Sequence, residues 1–170
     1  MDREPMHAVN HAFAIARVAE ADWKHLRTVR LAALAESPEA FGSDYSTEEQ
    51  FSEADWREWA RDWATFLAFH CDTPIGMAAG IPSGQPDERK LIAAWVHPDH
   101  RGHAVAAALV EAVQQWARTE GAGKVSLWVT QTNQPAVRLY RRLGFEPTGQ
   151  SKPLPSDPRL IEDQLFLYLG

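Results

Sequence analysis

The segment 96–106 reads VHPDHRGHAVA and joins a predicted strand to a predicted long helix. The apolar run 91–96 is typical of a buried strand, and from Val105 onward apolar residues recur at helical spacing as far as Trp116. A strand that passes through a short loop into a helix can turn successive backbone N–H groups toward one point. The helix N-terminus adds about half a positive charge there.

The side chains of this loop favour an anion site. Gly102, Ala104 and Ala106 leave room for a pyrophosphate to approach the backbone, and Arg101 supplies a fixed positive charge. Taken alone, the pattern fits an ordinary turn equally well.

The remainder of the chain alternates strand-like and helix-like patterns. Strands are predicted over 13–18, 65–70, 75–81, 91–96, 124–130, 145–150 and 164–169. Helices are predicted from an Asp22 N-cap to Ser37 and Pro38, through Trp56, Trp59 and Trp63, from Val105 to Gly121, and from an Asn133 N-cap to Gly144. A loop over 39–46 separates the first two helices, and a loop rich in proline (Pro153, Pro155, Pro158) joins the last two strands. This order predicts an α/β fold, with helices on the faces of a mixed sheet.

A second segment, 133–145, reads NQPAVRLYRRLGF. Ala136, Leu139, Tyr140 and Leu143 fall on one face of the predicted helix, so Tyr140 is expected to point inward. For a lone tyrosine, a core position with a satisfied hydroxyl is commoner than a catalytic role.

Taken together, the two segments resemble the GNAT superfamily of acyl-CoA-dependent N-acetyltransferases. The family pattern is V-x-P-x-x-R-G-x-G-x-G/A, then a strand, then N-x-x-A-x-x-L-Y-x-x-x-G-F. The matching residues are Val96, Pro98, Arg101, Gly102, Ala106, Asn133, Ala136, Leu139, Tyr140, Gly144 and Phe145. The resemblance is close over 91–149 and extends to the element order of the whole chain. It implies one N-acetyltransferase domain over 1–170, in which about seven mostly antiparallel strands are flanked by four helices.

The resemblance also implies acetyl-CoA as co-substrate, with no metal. The backbone of Val96 would pair with the pantetheine amides, residues 101–106 would hold the pyrophosphate, and Asn133 would hydrogen-bond the pantetheine arm. Tyr140 would face the thioester sulfur. The complete set of predicted cofactor-binding residues is Val96, His97, Arg101, Gly102, His103, Ala104, Val105, Ala106, Asn133, Ala136, Tyr140 and Arg142.

One residue departs from the family pattern, because Ala104 stands where the family has its first loop glycine after R-G-x. If this position needs a positive φ, alanine costs on the order of 1 kcal/mol. Such a cost is less than a tenfold change in affinity.

Direct transfer in a ternary complex is the predicted mechanism, with an amine attacking the thioester and CoA thiolate leaving. A thiol titrates near ~8.5 and a tyrosine near ~10, so full proton transfer from Tyr140 is uphill by roughly 2 kcal/mol. Tyr140 is therefore expected to donate a hydrogen bond as charge develops on sulfur. The strand 91–96 carries no carboxylate to serve as general base. The candidates elsewhere are Glu39, Glu48, Glu49 and Glu162, with Glu162 preferred; each fits a solvated surface acid too, and ordered water is the alternative.

Charge is unevenly distributed along the chain. Residues 1–88 carry 7 Lys and Arg against 16 Asp and Glu, whereas residues 89–150 carry 8 against 4. An acidic first half favours a small cationic amine as acceptor, and a basic middle favours an anionic ligand. The sequence lacks a dense basic run with interleaved aromatics, so nucleic-acid binding is not predicted. No apolar run reaches the roughly 18 residues of a membrane span. A homodimer is left open.

Composition predicts a cytoplasmic protein. The N-terminal residues MDREP lack a basic start and apolar run, and one cysteine gives no internal disulfide. Cys71 is interpreted as a buried or inert thiol, and the tryptophans at 56, 59 and 63 as a core seam rather than an acceptor pocket. His97, His100 and His103 do not have metal-ligand spacing.

Two other functions compete with acetyl transfer. One is a catalytically silent GNAT-like module that binds acyl-CoA; Ala104 and the missing strand carboxylate favour it, whereas Asn133 and Tyr140 disfavour it. The other is a different nucleotide-binding α/β protein, which would need a glycine-rich turn after the first strand. No such turn follows residues 13–18.

Overall fold

The computed structural model describes residues 12–102 and 104–170, so the N-terminal residues and His103 lie outside the described part of the chain. The strands are β1 Ala14–Arg17, β2 Ala64–His70, β3 Thr73–Pro82, β4 Glu88–Val96, β5 Lys124–Thr130, β6 Glu146–Leu154 and β7 Asp157–Tyr168. The α-helices are α1 Trp23–Glu36, α2 Tyr45–Glu48, α3 Glu53–Asp62, α4 Val105–Thr119 and α5 Gln134–Arg142.

All seven strands form one sheet in the order β1-β2-β3-β4-β5-β7-β6. Every pair is antiparallel except β4 and β5, which run parallel. These two strands pair only where Glu88–Lys90 faces Lys124–Ser126, and beyond that point they separate. The register of β4 shifts against β3 at Ala93, which has a φ of 58°. The mixed, mostly antiparallel sheet predicted from the sequence is confirmed.

Two apolar cores lie on opposite faces of the sheet, since alternate residues of β2 and β3 belong to different cores. Ala68 and Ala78 pack in the core of α4 and α5, whereas Leu67 and Met77 pack in the core of α1 and α3. The first core brings α4 so close to β3 that a Cβ at Gly80 would overlap the ring of Trp116. The second contains Trp56 and Trp59, with Trp63 packed against it, which confirms the predicted tryptophan seam.

Several predicted boundaries were wrong. The proline-rich loop is instead the junction of two long antiparallel strands, because β6 continues to Leu154 and β7 begins at Asp157. Glu162 consequently lies within β7 rather than before the last strand. The loop 39–46 contains the start of the single-turn helix α2, an addition to the four predicted helices. Asp22 makes no side-chain cap on α1, and Trp63 caps the end of α3 instead of continuing it.

Within the described residues, no helix is both long and apolar enough to span a membrane.

Candidate active site

A cleft of about 580 Å³ lies beside the end of β4, beyond the point where β4 pairs with β5. Its walls come from the end of β4, the start of α4 and one face of α5, with Ser37, Ala40 and Met77 on the side of α1. Of the predicted cofactor residues, the structure brings together Val96, Arg101, Gly102, Ala104, Val105, Ala106, Asn133, Ala136, Tyr140 and Arg142. His97 does not line this cleft, and His103 is outside the described residues.

A smaller pocket adjoins the cleft and shares Ala94, Asn133 and Tyr140 with it. Its remaining walls include Phe41 and Trp128, so Tyr140 lies where the two pockets meet. Among the described residues, no Asp or Glu lines either pocket.

The loop before α4 has the backbone conformation that a glycine-rich turn needs. Gly102 has a φ of 82°, and Ala104, at the N-cap of α4, has a φ of 65°. Space does not dictate glycine at 102, because a Cβ there would meet nothing within 4 Å. The positive φ is therefore the requirement, and Ala104 meets it with a strained L residue.

The Arg101 side chain is held by the protein itself. Its Nε donates to the carbonyl oxygen of Val96 at 2.9 Å, and its Nη2 donates to Oε2 of Glu36 at 2.8 Å. The same Glu36 oxygen accepts hydrogen bonds from Nε1 of Trp95, at 2.8 Å, and from the hydroxyl of Ser37. Binding of the pyrophosphate by Arg101 stays a prediction, but the guanidinium already forms an ion pair with Glu36.

Burial and charge set the ionisation of Glu36 in opposite directions. Partial burial acts to raise the pKa of this carboxyl, but hydrogen bonds from Arg101, Ser37 and Trp95 and the charge of Arg101 outweigh it. The pKa of Glu36 falls to about 2.

The amphipathic helix α5 presents Tyr140 as predicted. Its residue exposure is 7%, and its ring meets that of Phe145 edge-on with centroids 5.7 Å apart. Burial raises the pKa of the Tyr140 hydroxyl to about 12. At the other end of α5, Oδ1 of Asn133 accepts from the backbone N–H of Ala136 at 3.4 Å, so the predicted N-cap is confirmed.

The candidate general bases have different environments. Both carboxylate oxygens of Glu48 accept from buried Arg30, at 2.8 and 2.9 Å, so both are already engaged in a buried ion pair. Glu39 and Glu49 are exposed, and the backbone carbonyl of Glu39 accepts from the hydroxyl of Thr130 at 2.8 Å.

Glu162, like Glu48, is buried, and it stands beside the small pocket. It lies directly across from Thr130, which lines that pocket, although Glu162 itself does not. Burial raises its pKa, and Lys152, whose ammonium is 3.6 Å away, and Lys90 offset part of this increase. A proton reaching Glu162 from the cleft therefore requires an intervening water.

Two further predictions have structural outcomes. Cys71 is exposed in the turn between β2 and β3, with a φ of 53°, so it is not a buried thiol. The alternative, an inert thiol, stays a prediction. Nδ1 of His97 accepts from the backbone N–H of Asp99 at 3.1 Å, and its ring lies 6.0 Å from that of His100. Over 12–102 and 104–170 the structure holds no group of three or more His, Cys, Asp or Glu side chains arranged for a metal ion.

Comparison with known proteins identifies the family of this chain. The model of the acetyltransferase (GNAT) family matches residues 30–145, which is more than half of the chain. The chain belongs to the GNAT family.

Among sequence relatives, streptothricin acetyltransferase of Streptomyces lavendulae is 33% identical over 109 residues, covering 64% of this chain and 54% of that protein. Human N-acetyltransferase 8B is 37% identical over 81 residues, covering 45% of this chain and 36% of that protein. The chain thus spans about half or less of the length of these relatives.

Solved structures share the GNAT fold across nearly the whole chain. A GNAT acetyltransferase from Streptococcus pneumoniae has a TM-score of 0.78 at 16% identity, covering 93% of this chain and 100% of that one. A putative acetyltransferase from Salmonella typhimurium, solved with its cofactor acetyl-CoA, has a TM-score of 0.76 at 17% identity, covering 94% and 95%.

The two GNAT segments were found from the sequence because each is local. Four residues at or beside the two pockets were not predicted from the sequence: Glu36, Trp95, Trp128 and Thr130. Glu36 is separated from Trp95 by 59 positions and from Arg101 by 65, so no short pattern signals their contact. The pairing of Thr130 with Glu162 was not predicted either, because the predicted last strand began at residue 164, after Glu162.

Proposed function

We propose that this protein transfers an acetyl group from acetyl-CoA to the primary amine of a small molecule, by direct attack in a ternary complex. One observation carries the proposal: both GNAT segments line the same cleft. This cleft extends from the loop at Ala104, which has a positive φ, to Tyr140 on α5. Family membership supports acetyl transfer, and a relative that bears the name of a small-molecule acetyltransferase supports the acceptor class.

Acetyl-CoA fits the chemistry of the cleft. Backbone N–H groups at the start of the 15-residue helix α4 suit a pyrophosphate, because the helix N-terminus is electropositive. The backbone of Val96 would pair with the pantetheine amides, while Asn133 and Ala136 line the wall toward Tyr140. His97 and His103 remain predicted contacts, as does Arg142 at the rim. The GNAT structure from Salmonella that contains acetyl-CoA supports this choice of co-substrate.

The reaction forms one bond and breaks one. The neutral amine nitrogen attacks the thioester carbonyl carbon, the C–S bond breaks, and its electron pair leaves on sulfur. With a pKa of about 12, Tyr140 lies roughly 3.5 units above a thiol near ~8.5, so full proton transfer to thiolate is uphill by about 5 kcal/mol. Tyr140 therefore donates a hydrogen bond to the developing thiolate instead of its proton.

The amine must lose a proton, and we propose that Glu162 accepts it through water. Its raised pKa suits a base near neutral pH better than that of an exposed carboxylate does. Glu162 then returns this proton to solvent and the thiolate takes up a proton from water, so the N-substituted acetamide and free CoA are the products.

A non-catalytic acyl-CoA-binding module is the second candidate. The strained φ of Ala104 and the lack of a lining carboxylate among the described residues favour it. Such a module would bind acetyl-CoA yet release no thiol with any amine. A cytoplasmic location and a homodimer remain predictions.

The deciding experiment is a thiol-release assay with acetyl-CoA against a panel of amines: linear diamines, amino sugars, amino acids and peptides with a free N-terminus. We expect amine-dependent release of CoA with at least one small amine, and mass spectrometry of the product should show an added acetyl group. Binding of acetyl-CoA by calorimetry without release across the panel would support the module instead. Release only with peptides would overturn the small-molecule acceptor.

A further inference from the structure

Glu36 is the meeting point of three parts of the molecule that are distant in sequence. It is the last residue of α1, and its Oε2 accepts from Trp95 near the end of β4 and from Arg101 in the loop before α4. The neighbouring Ser37 hydroxyl donates to the same oxygen. The end of α1 is thus tied to the strand and the loop that form two walls of the cleft.

The second half of this contact runs through Arg101. While Nη2 is held by Glu36, Nε donates to the carbonyl oxygen of Val96, and Val96 itself is only 6% exposed. The guanidinium therefore spans from the end of α1 to the backbone of β4. Trp95, fixed by the same carboxylate, lines the cleft beside Val96.

Surface ion pairs usually contribute little, but this one has features that set it apart. Its carboxylate accepts several hydrogen bonds, the donors lie on different elements, and one donor is the indole of a buried tryptophan. The pKa of Glu36, about 2, keeps the carboxylate ionised throughout the pH range of an enzyme assay. Protonation of Glu36 therefore does not weaken the interaction at any pH used in an assay.

We propose that Glu36 is a positioning residue: through Arg101 and Trp95 it fixes the end of β4 in the geometry that receives the pantetheine arm of acetyl-CoA. The inference rests on the proposed function. In this proposal Arg101 holds the backbone of Val96 in position, since its charge is already balanced by Glu36. The backbone N–H groups of the loop and of α4 then bind the pyrophosphate.

A pair of acetyl donors separates this role from phosphate binding. Acetyl-CoA and S-acetylpantetheine share the pantetheine arm and thioester, but the second lacks the pyrophosphate and the adenosine. We would measure KM and kcat for both donors with wild type, Glu36→Gln, Arg101→Gln and the double variant, at saturating amine. Arg118→Gln and Glu120→Gln are matched controls, because both residues are exposed at the far end of α4.

We expect each single variant to raise KM about five- to tenfold for both donors, with kcat changed less than twofold, as loss of a charge-assisted contact predicts. The double variant should be no worse than the more severe single, because the two side chains act as one unit. The controls should match wild type. A rise confined to acetyl-CoA in Arg101→Gln would overturn the proposal and make Arg101 a pyrophosphate ligand.

Stability must be separated from positioning. Thermal unfolding of each variant should show whether a KM change accompanies general loosening, and Glu36→Asp, which keeps the charge on a shorter side chain, should recover part of the affinity for both donors. Equal KM values for wild type and Glu36→Gln would also overturn the proposal. Lack of amine-dependent release by wild type, with both donors, would instead count against the proposed function.

Discussion

At the scale of single residues, the hydroxyl of Tyr140 carries the clearest chemical expectation. A buried phenol with a pKa of about 12 is a poor proton donor but a good hydrogen-bond donor to a developing thiolate. Tyr140→Phe should lower kcat roughly 100-fold and leave KM for acetyl-CoA within about threefold, since the ring packing is retained. Steady-state kinetics would test this, and an unchanged kcat would remove Tyr140 from the mechanism. Because its pKa is so high, Tyr140 should impose no basic limb on the rate profile below about pH 10.

The same scale shows how far the sequence could reach. Tyr140 and Asn133 were predicted correctly as an inward-facing residue and a helix cap, because helical spacing and cap chemistry are local properties. The partners of Arg101 were not predicted. Its charge suggested a phosphate ligand, whereas its contact with Glu36 depends on how α1 packs against β4.

At the scale of elements, the N-terminus of α4 stores strain at Ala104. Glycine would adopt its φ of 65° without a Cβ penalty, so Ala104→Gly should stabilise the fold by about 0.5–1 kcal/mol despite the entropy of glycine in the unfolded chain. The matched control is Ala112→Gly in the middle of α4, which should cost about 1 kcal/mol. Chemical denaturation measures both, and KM for acetyl-CoA should fall in the first variant only. Destabilisation by Ala104→Gly would show that the loop carries no such strain.

Another element, the β6–β7 hairpin, explains the largest error in the prediction from sequence. β6 is an edge strand, and all its residues except Leu154 are exposed, so it has no apolar alternation to detect. Pro147 and Pro153 pair with β7, a position that an edge strand tolerates because one side of its backbone needs no partner. The prolines were interpreted as a loop signal, so the last strand was predicted too short. Glu162 was therefore placed before that strand instead of within it.

At the scale of the whole molecule, charge separation along the chain predicts how the acceptor is attracted. Residues 1–88 carry an excess of nine acidic charges, while residues 89–150 carry an excess of four basic ones. Near the small pocket, however, Lys152 lies 3.6 Å from Glu162 and its ammonium sits 4.4 Å from the ring centroid of Trp128, which offsets the local negative charge. Any preference for cationic amines must then come from distributed charges, and these are the interactions that salt screens.

A comparison of two acceptors tests this origin. With acetyl-CoA saturating, a linear diamine should have a lower KM than the amino acid of the same length at low salt. Raising the ionic strength from about 0.02 to about 0.2 M shortens the Debye length from about 20 Å to about 7 Å, so KM for the diamine should rise several-fold. KM for the amino acid should stay level or fall, because its carboxylate is repelled by the same charges. A diamine preference that survives high salt would instead indicate a direct contact in the cleft, and a preference for the amino acid at low salt would contradict the cationic acceptor altogether.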